Sequence, residues 1–173
     1  EREVAIKVMK PVQGPDSSAL TQWLTEARSV SRLNHPNIVP VFEADVQDQQ
    51  PYLVFEYVAG KTLAQVLSGQ GAQTPAKAVA LMVDVLGALV AAHAAGVVHR
   101  DLKPGNVMVD TKGRARVMDF GIAQRTSSAT QGANHAGLAG TPAYMAPEAA
   151  RGAAVSPVMD VYSAGMMLAE LLW

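Results

Sequence analysis

Two carboxylates, a lysine and an asparagine, namely Asp101, Lys103, Asn106 and Asp119, lie close together in the chain and are bounded by apolar runs. That is the inventory needed to move a phosphoryl group from a metal-bound nucleotide to a hydroxyl. Asp101 is a candidate base that accepts or orients the hydroxyl proton. Lys103, two positions on, can stabilise charge on the group in transit. Asn106 and Asp119 offer oxygen, which magnesium prefers. That ion keeps several waters and takes one or two protein ligands besides substrate phosphates. Taken singly, these are a solvated lysine, a turn asparagine and a strand-end aspartate.

The chain around this set has 173 residues, 49% hydrophobic and 17% charged. That is enough for one domain with a core, and too apolar for a disordered segment. A formal net charge of -1 supplies no field to recruit nucleic acid or an anionic membrane, so neither is expected as a partner of this segment. The absence of cysteine excludes disulfides, thiolate metal sites and Cys nucleophiles. Residues 78–98 are apolar except for Asp84 and His93 and match a bilayer in length. Asp84 would cost roughly 2.5–3.5 kcal/mol near a bilayer centre. A buried core helix is therefore expected.

The elements that must position the set are readable from periodicity. Val4, Ile6 and Val8 alternate with Ala5 and Lys7, which predicts a strand with Lys7 and Ala5 on one face. The stripe Leu20, Trp23, Leu24, Ala27, Val30 predicts a helix that starts near Asp16 and stops before Pro36. Residues 38–44 and 52–58 read as strands around a polar hairpin loop at 45–50. A short helix is expected at 62–67, and Pro75 opens a long one to about Ala95. Residues 107–109 and 115–118 read as strands around a turn. Residues 124–140 read as a long loop, and 161–173 as an apolar helix. The order is β-α-β-β and then mostly helical, with a linker near 57–61.

The run His99-Arg100-Asp101-Leu102-Lys103-Pro104-Gly105-Asn106, followed by Asp119-Phe120-Gly121, resembles the catalytic core of the eukaryotic-type (Hanks-type) serine/threonine protein kinases, in their bacterial branch. The separation of thirteen positions from Asn106 to Asp119 spans two strands and a turn, as the family pattern requires. The resemblance implies an α+β, two-lobed fold: a small antiparallel β-sheet lobe with one helix over residues 1–58, and a larger, mainly helical lobe over 59–173. It implies a protein serine/threonine kinase that uses ATP and Mg²⁺, with Mn²⁺ as an alternative ion. Lys7, in Val4-Ala5-Ile6-Lys7, would hold the phosphates and Glu26 would pair with it. Glu56 and Val58 would offer backbone groups to adenine, Phe55 would guard the back of that pocket, and Ala5 and Met108 would sandwich the ring. His99 and Phe120 would be core residues, with His99 a satisfied buried imidazole rather than a base.

Lys103 at its position resembles the serine/threonine group rather than the tyrosine group. Gly140-Thr141-Pro142-Ala143-Tyr144-Met145-Ala146-Pro147-Glu148 resembles the segment that receives a substrate peptide, with Thr141 near Asp101 and Lys103 and Asp160 holding the catalytic loop from below. The partners implied are protein Ser/Thr hydroxyls. Self-phosphorylation and a kinase-domain dimer stay open, and Ser127, Ser128, Thr130 and Thr141 are the candidate sites. The implied place is cytoplasmic, with a membrane tether outside this segment.

The pattern is broken at one point. No Gly-x-Gly-x-x-Gly occurs. The glycine-rich loop and the C-terminal helices are thus expected to be missing, with an exposed sheet edge and weak or no activity in the isolated segment. The competing reading is a pseudokinase scaffold that binds nucleotide or partners without catalysis. It is disfavoured by the presence of Lys7, Asp101 and Asp119 together.

Overall fold

The computed structural model describes residues 2–9, 17–120 and 142–173. Along the chain come β1 (Val4–Val8), α1 (Ser17–Ser31), β2 (Val41–Gln47), β3 (Gln50–Glu56), β4 (Gly60–Thr62), α2 (Leu63–Gln70) and α3 (Pro75–Ala94). A 3-10 turn, Pro104–Asn106, leads into β5 (Val107–Asp110) and β6 (Ala115–Val117). After a second such turn, Pro142–Tyr144, come α4 (Pro147–Ala150) and α5 (Pro157–Leu172). The strands form two antiparallel sheets, ordered β1-β3-β2 and β4-β5-β6. The fold is the α+β arrangement expected: a small sheet with one helix, then a mainly helical part.

The first sheet forms because β3 alternates. Pro51, Leu53 and Phe55 are buried while their neighbours are half-buried. Trp23, Ala27 and Val30, spaced for one helix face, bury α1 among the same core residues. β1 is an edge strand of this sheet, and Val4, Ile6 and Val8 are exposed on it. Residues 45–50, expected as a loop, instead carry strand pairing up to Gln47 opposite Gln50. Asp48 and Gln49 both take left-handed backbone (φ 50° and 63°), so the chain reverses in two residues with the twist that hairpins favour.

The 57–61 stretch, expected as a linker, ends in β4. Gly60 pairs opposite Asp110 there. A Cβ on Gly60 would lie 2.1 Å from the Val109 carbonyl oxygen, so only glycine allows this approach. Thr62 then starts α2 with a capping box. Its hydroxyl accepts from the Gln65 amide at 3.2 Å, and the Gln65 side chain accepts from the Thr62 amide at 2.9 Å. α5 begins at Pro157, earlier than expected, because proline suits the first helical turn.

α3 is the central helix. Leu81, Val85, Ala88 and Leu89 are fully buried, and α3 packs against β6 and α5. Asp84 sits in this apolar run because it has a task. Its carboxylate accepts from Arg114 at 2.7 and 2.8 Å and from the Ala115 amide at 3.0 Å, tying α3 to the start of β6. The other face of α3, with Val79, Val83, Leu86 and Val90, is exposed. The expected core helix is therefore buried on one side only.

Both sheets share one apolar core, continuous from Trp23 and Leu53 through Ile38 and Val117 to Leu89 and Met167. The seam between them is hydrogen-bonded. Ile38 bridges Val117 in parallel, Val117 N–H donates to the Asn37 carbonyl at 2.7 Å, and Val39 N–H donates to Val117 at 2.9 Å.

The hydrogen bonds from Arg114 hold the Asp84 carboxyl below the usual carboxylate range. A depressed folded-state pKa contributes stability above the unfolded value, near 4, that is lost as pH falls through the folded one. Asp84→Asn is therefore expected to cost about 1–2 kcal/mol at pH 7. That gap should narrow as pH falls below the unfolded value and through the lower folded one. Urea unfolding from pH 7 down through that range checks this.

Candidate active site

The site is built upward from Asp160, in the first turn of α5 and 1% exposed. Its carboxylate accepts from the backbone N–H of His99 at 2.8 Å and of Arg100 at 2.9 Å, and from His93 Nε2 at 2.7 Å. Arg100 has a left-handed backbone (φ 69°), which a long side chain adopts only when its surroundings enforce it. The two backbone bonds to Asp160 supply that enforcement.

His99 is fully buried. Its Nε2 donates to the Met118 carbonyl at 3.0 Å, its Nδ1 accepts from the Asp101 amide at 3.3 Å, and its ring centroid is 4.7 Å from that of Phe120. Burial pushes its pKa down, so it is a neutral imidazole with the proton on Nε2. It is a satisfied core group.

Asp101 is thereby turned toward Lys103 and Asn106. Its Oδ2 accepts from Lys103 Nζ at 2.8 Å and from Asn106 Nδ2 at 3.1 Å. The 3-10 turn brings Asn106 back on Asp101, whose carbonyl also accepts from Asn106 Nδ2 at 2.8 Å. Met118 N–H donates to the Asn106 carbonyl at 2.9 Å, which sets the residue before Asp119 beside Asn106. Asp119 is left-handed (φ 60°), and its Oδ2 accepts from Lys7 Nζ at 2.7 Å. Asp101, Lys103, Asn106, Asp119 and Lys7 thus form one connected group, drawn from β1, the catalytic loop and the end of β6.

Glu26 does not take the place expected for it. Among the described residues, the carboxylate on Lys7 is that of Asp119, while Glu26 Oε2 lies 4.0 Å from Arg100 Nη1. The reason is geometric. The left-handed turn at Asp119 delivers a carboxylate to the ammonium, and Glu26 lines a 130 Å³ cavity together with Arg100, Val30 and Phe120.

Beside the charged group is a cavity of 240 Å³. Ala5, Phe55, Glu56, Val58 and Met108 all line it, together with Lys7 and Asp119. The residues expected around an adenine ring are therefore gathered in one largely apolar pocket between the two sheets. Phe55 is 8% exposed and pairs opposite Ala5 in the sheet. Thr141, Ser127, Ser128 and Thr130 lie outside the described residues.

Asn106 and Asp119 fit a magnesium ion. The Asn106 amide nitrogen is committed to Asp101, and its amide oxygen has no donor among the described residues. Among those residues no group of three or more His, Cys, Asp and Glu is gathered. One amide oxygen and one carboxylate, with phosphates to complete the shell, is the donor set magnesium takes.

Two contacts and one cavity carried no signal in the sequence. The Tyr144 hydroxyl donates to Glu170, and burial pushes that phenol up. A broad cavity of 590 Å³, lined by Leu67, Lys103, Tyr144 and Glu170, opens beside the catalytic loop. Arg116 makes a bidentate pair with Glu56.

The protein kinase domain family model matches residues 1–173. The chain is 38% identical over 181 residues to a probable serine/threonine-protein kinase PknB of Bifidobacterium longum, covering 99% of this chain and 26% of that protein. It is 38% identical over 172 residues to the serine/threonine-protein kinase PrkC of Bacillus subtilis, with the same two coverages. It is 39% identical over 172 residues to the serine/threonine-protein kinase PknL of Mycobacterium tuberculosis, covering 99% of this chain and 43% of that protein. The chain thus spans between a quarter and a half of the length of these relatives.

The His99 hydrogen bonds give a spectroscopic expectation. Long-range ¹H–¹⁵N spectra at pH 6 should show its ring neutral with the proton on Nε2, still neutral below the ordinary value of 6.5. A ring that titrates as a solvated histidine would contradict the buried arrangement.

Proposed function

Because the chain belongs to the protein kinase domain family, we propose that it carries the catalytic machinery of an ATP-dependent serine/threonine protein kinase. One observation carries this reading: Lys7, Asp101, Lys103, Asn106 and Asp119 are connected beside a single apolar pocket. The base of ATP enters that pocket between Ala5 and Met108 and hydrogen-bonds the backbone of Glu56 and Val58, with Phe55 closing the back. Lys7 meets the phosphates as a point charge. Asn106 and Asp119 would hold Mg²⁺, which would supply positive charge against the negative charge developing on the phosphates.

Asp101 accepts a hydrogen bond from the attacking Ser or Thr hydroxyl and aligns it with the γ-phosphorus. Lys103, held on Asp101 at 2.8 Å, is close enough to follow the charge onto the moving phosphoryl oxygens. Thr141 assists at the peptide, and Glu26 acts by exchanging its Arg100 contact for Lys7. The substrates are protein hydroxyls, including those of the 124–140 segment of the same chain. Because ATP is the donor, the domain works on the cytoplasmic side. The 173 residues alone turn over slowly, since they contain no glycine-rich loop to close over the phosphates and exclude water.

The test is transfer of labelled γ-phosphate with Mg²⁺ by the full-length protein and its Asp101→Asn variant. Label on protein Ser or Thr is expected, falling at least about 100-fold in the variant, within the range for loss of a positioned acid–base group. Nucleotide binding with no label in either protein would turn the reading to a scaffold. Rapid turnover by residues 1–173 alone would overturn the claim about the segment.

A further inference from the structure

Arg116 lies in the middle of β6, opposite Met108 of β5, with both side chains on one face of the sheet. From there its guanidinium crosses to the other sheet. Nη1 donates to Glu56 Oε1 at 2.8 Å and Nη2 to Oε2 at 3.0 Å, a bidentate pair. Nη2 also reaches the Ile38 carbonyl at 3.4 Å. The pair is well shielded, with Arg116 16% and Glu56 29% exposed. Arg116 Nε is buried with no partner among the described residues, so the guanidinium is held at the cost of one unmet donor.

The three segments it joins are the walls of the 240 Å³ cavity. Glu56 and Met108 line it from the two sheets, and Val39 lines it one residue beyond Ile38. Glu56 is fixed from its own side as well, since its N–H donates to the Pro40 carbonyl at 3.1 Å. The segment 56–58, here called the hinge, is thus tied to the sheet that carries Met108, the floor of the cavity, by one side chain in addition to the Ile38–Val117 seam, and Arg116 itself does not line the cavity.

We propose that Arg116 is a positioning residue for the nucleotide: by clamping the Glu56 carboxylate it fixes the gap between the hinge segment and the Met108 floor, and so sets how tightly a purine is gripped and how strictly larger bases are refused. This rests on the reading of the cavity as the base site. The clamp acts on binding and leaves Asp101 and Lys103, which do the transfer, in place. A lysine cannot replace it, because an ammonium lacks the planar fork that meets both carboxylate oxygens.

The experiment uses the full-length protein, its Arg116→Ala and Arg116→Lys variants, and the exchanged pair Glu56→Arg/Arg116→Glu. Steady-state kinetics with ATP and with an N6-benzyl ATP analogue is read beside titration with a fluorescent ATP analogue, and thermal melting verifies folding. Arg116→Ala should raise the KM for ATP about tenfold and move kcat about twofold or less, with the preference for ATP over the N6-substituted analogue narrowing several-fold. Arg116→Lys, which keeps the charge and hence the fold, should show the same changes at smaller size. The exchanged pair should bring KM back to within about threefold of the wild type.

An unchanged KM in both single variants, or a fall in kcat at constant KM, would overturn the clamp. So would an exchanged pair that folds and stays as weak as Arg116→Ala. The two readings fail separately. A wild type that binds the fluorescent nucleotide but transfers no phosphate sinks the kinase reading, and the titration then decides the clamp. A wild type that binds no nucleotide sinks both.

Discussion

Asp160 is a carboxylate almost wholly removed from water, and the catalytic loop takes its shape from it. It engages the N–H groups of His99 and Arg100 and so holds Arg100 in a backbone conformation the residue would not choose. That bend sends His99 inward and Asp101 outward. His99 then takes the Met118 carbonyl and meets the Phe120 ring at a tilt of 43°, so contacts fall on both sides of Asp119. Geometry passes from α5 to Asp119 through short, directional bonds. Such a network is costly to bury half-satisfied and rigid once complete.

The same economy governs the join between the two sheets. Apolar burial alone would let them slide, because it has no direction. The seam is instead pinned by polar groups with several partners each. Asn37 donates from its side chain to Ala115 and accepts at its carbonyl from Val117, while Asp84 takes three donors around the start of β6. The Asp84 pair is only half sheltered, since Arg114 is 60% exposed, and what it adds to apolar burial is direction.

Much of this was readable in the sequence wherever the signal is local. The alternation of Val4 to Val8, the proline at 75 and the stripe through Trp23, Ala27 and Val30 each place an element, and the polar side chains of Asp101, Lys103 and Asn106 meet within one short run. The hairpin at 45–50 was expected, but not its tightness, since glutamine is no signal for the left-handed backbone at Asp48 and Gln49. What escaped otherwise is non-local. β4 is three residues long and exists only because β5 is there to pair with it. The partners of Glu26, Glu56 and Asp84 lie tens of residues away, and charge in a sequence does not say which opposite charge it will meet.

The contact between Lys7 and Asp119 has a thermodynamic consequence. Each is the other's counter-ion at 2.7 Å, so an anion that seeks the lysine must approach a carboxylate, and a cation that seeks the aspartate must approach an ammonium. Either ligand alone meets repulsion from the charge it does not want. Together they insert between the two groups, and every charge gains a partner. An anion and a cation bound there together would therefore be coupled, each raising the affinity for the other by the same factor, as linkage requires.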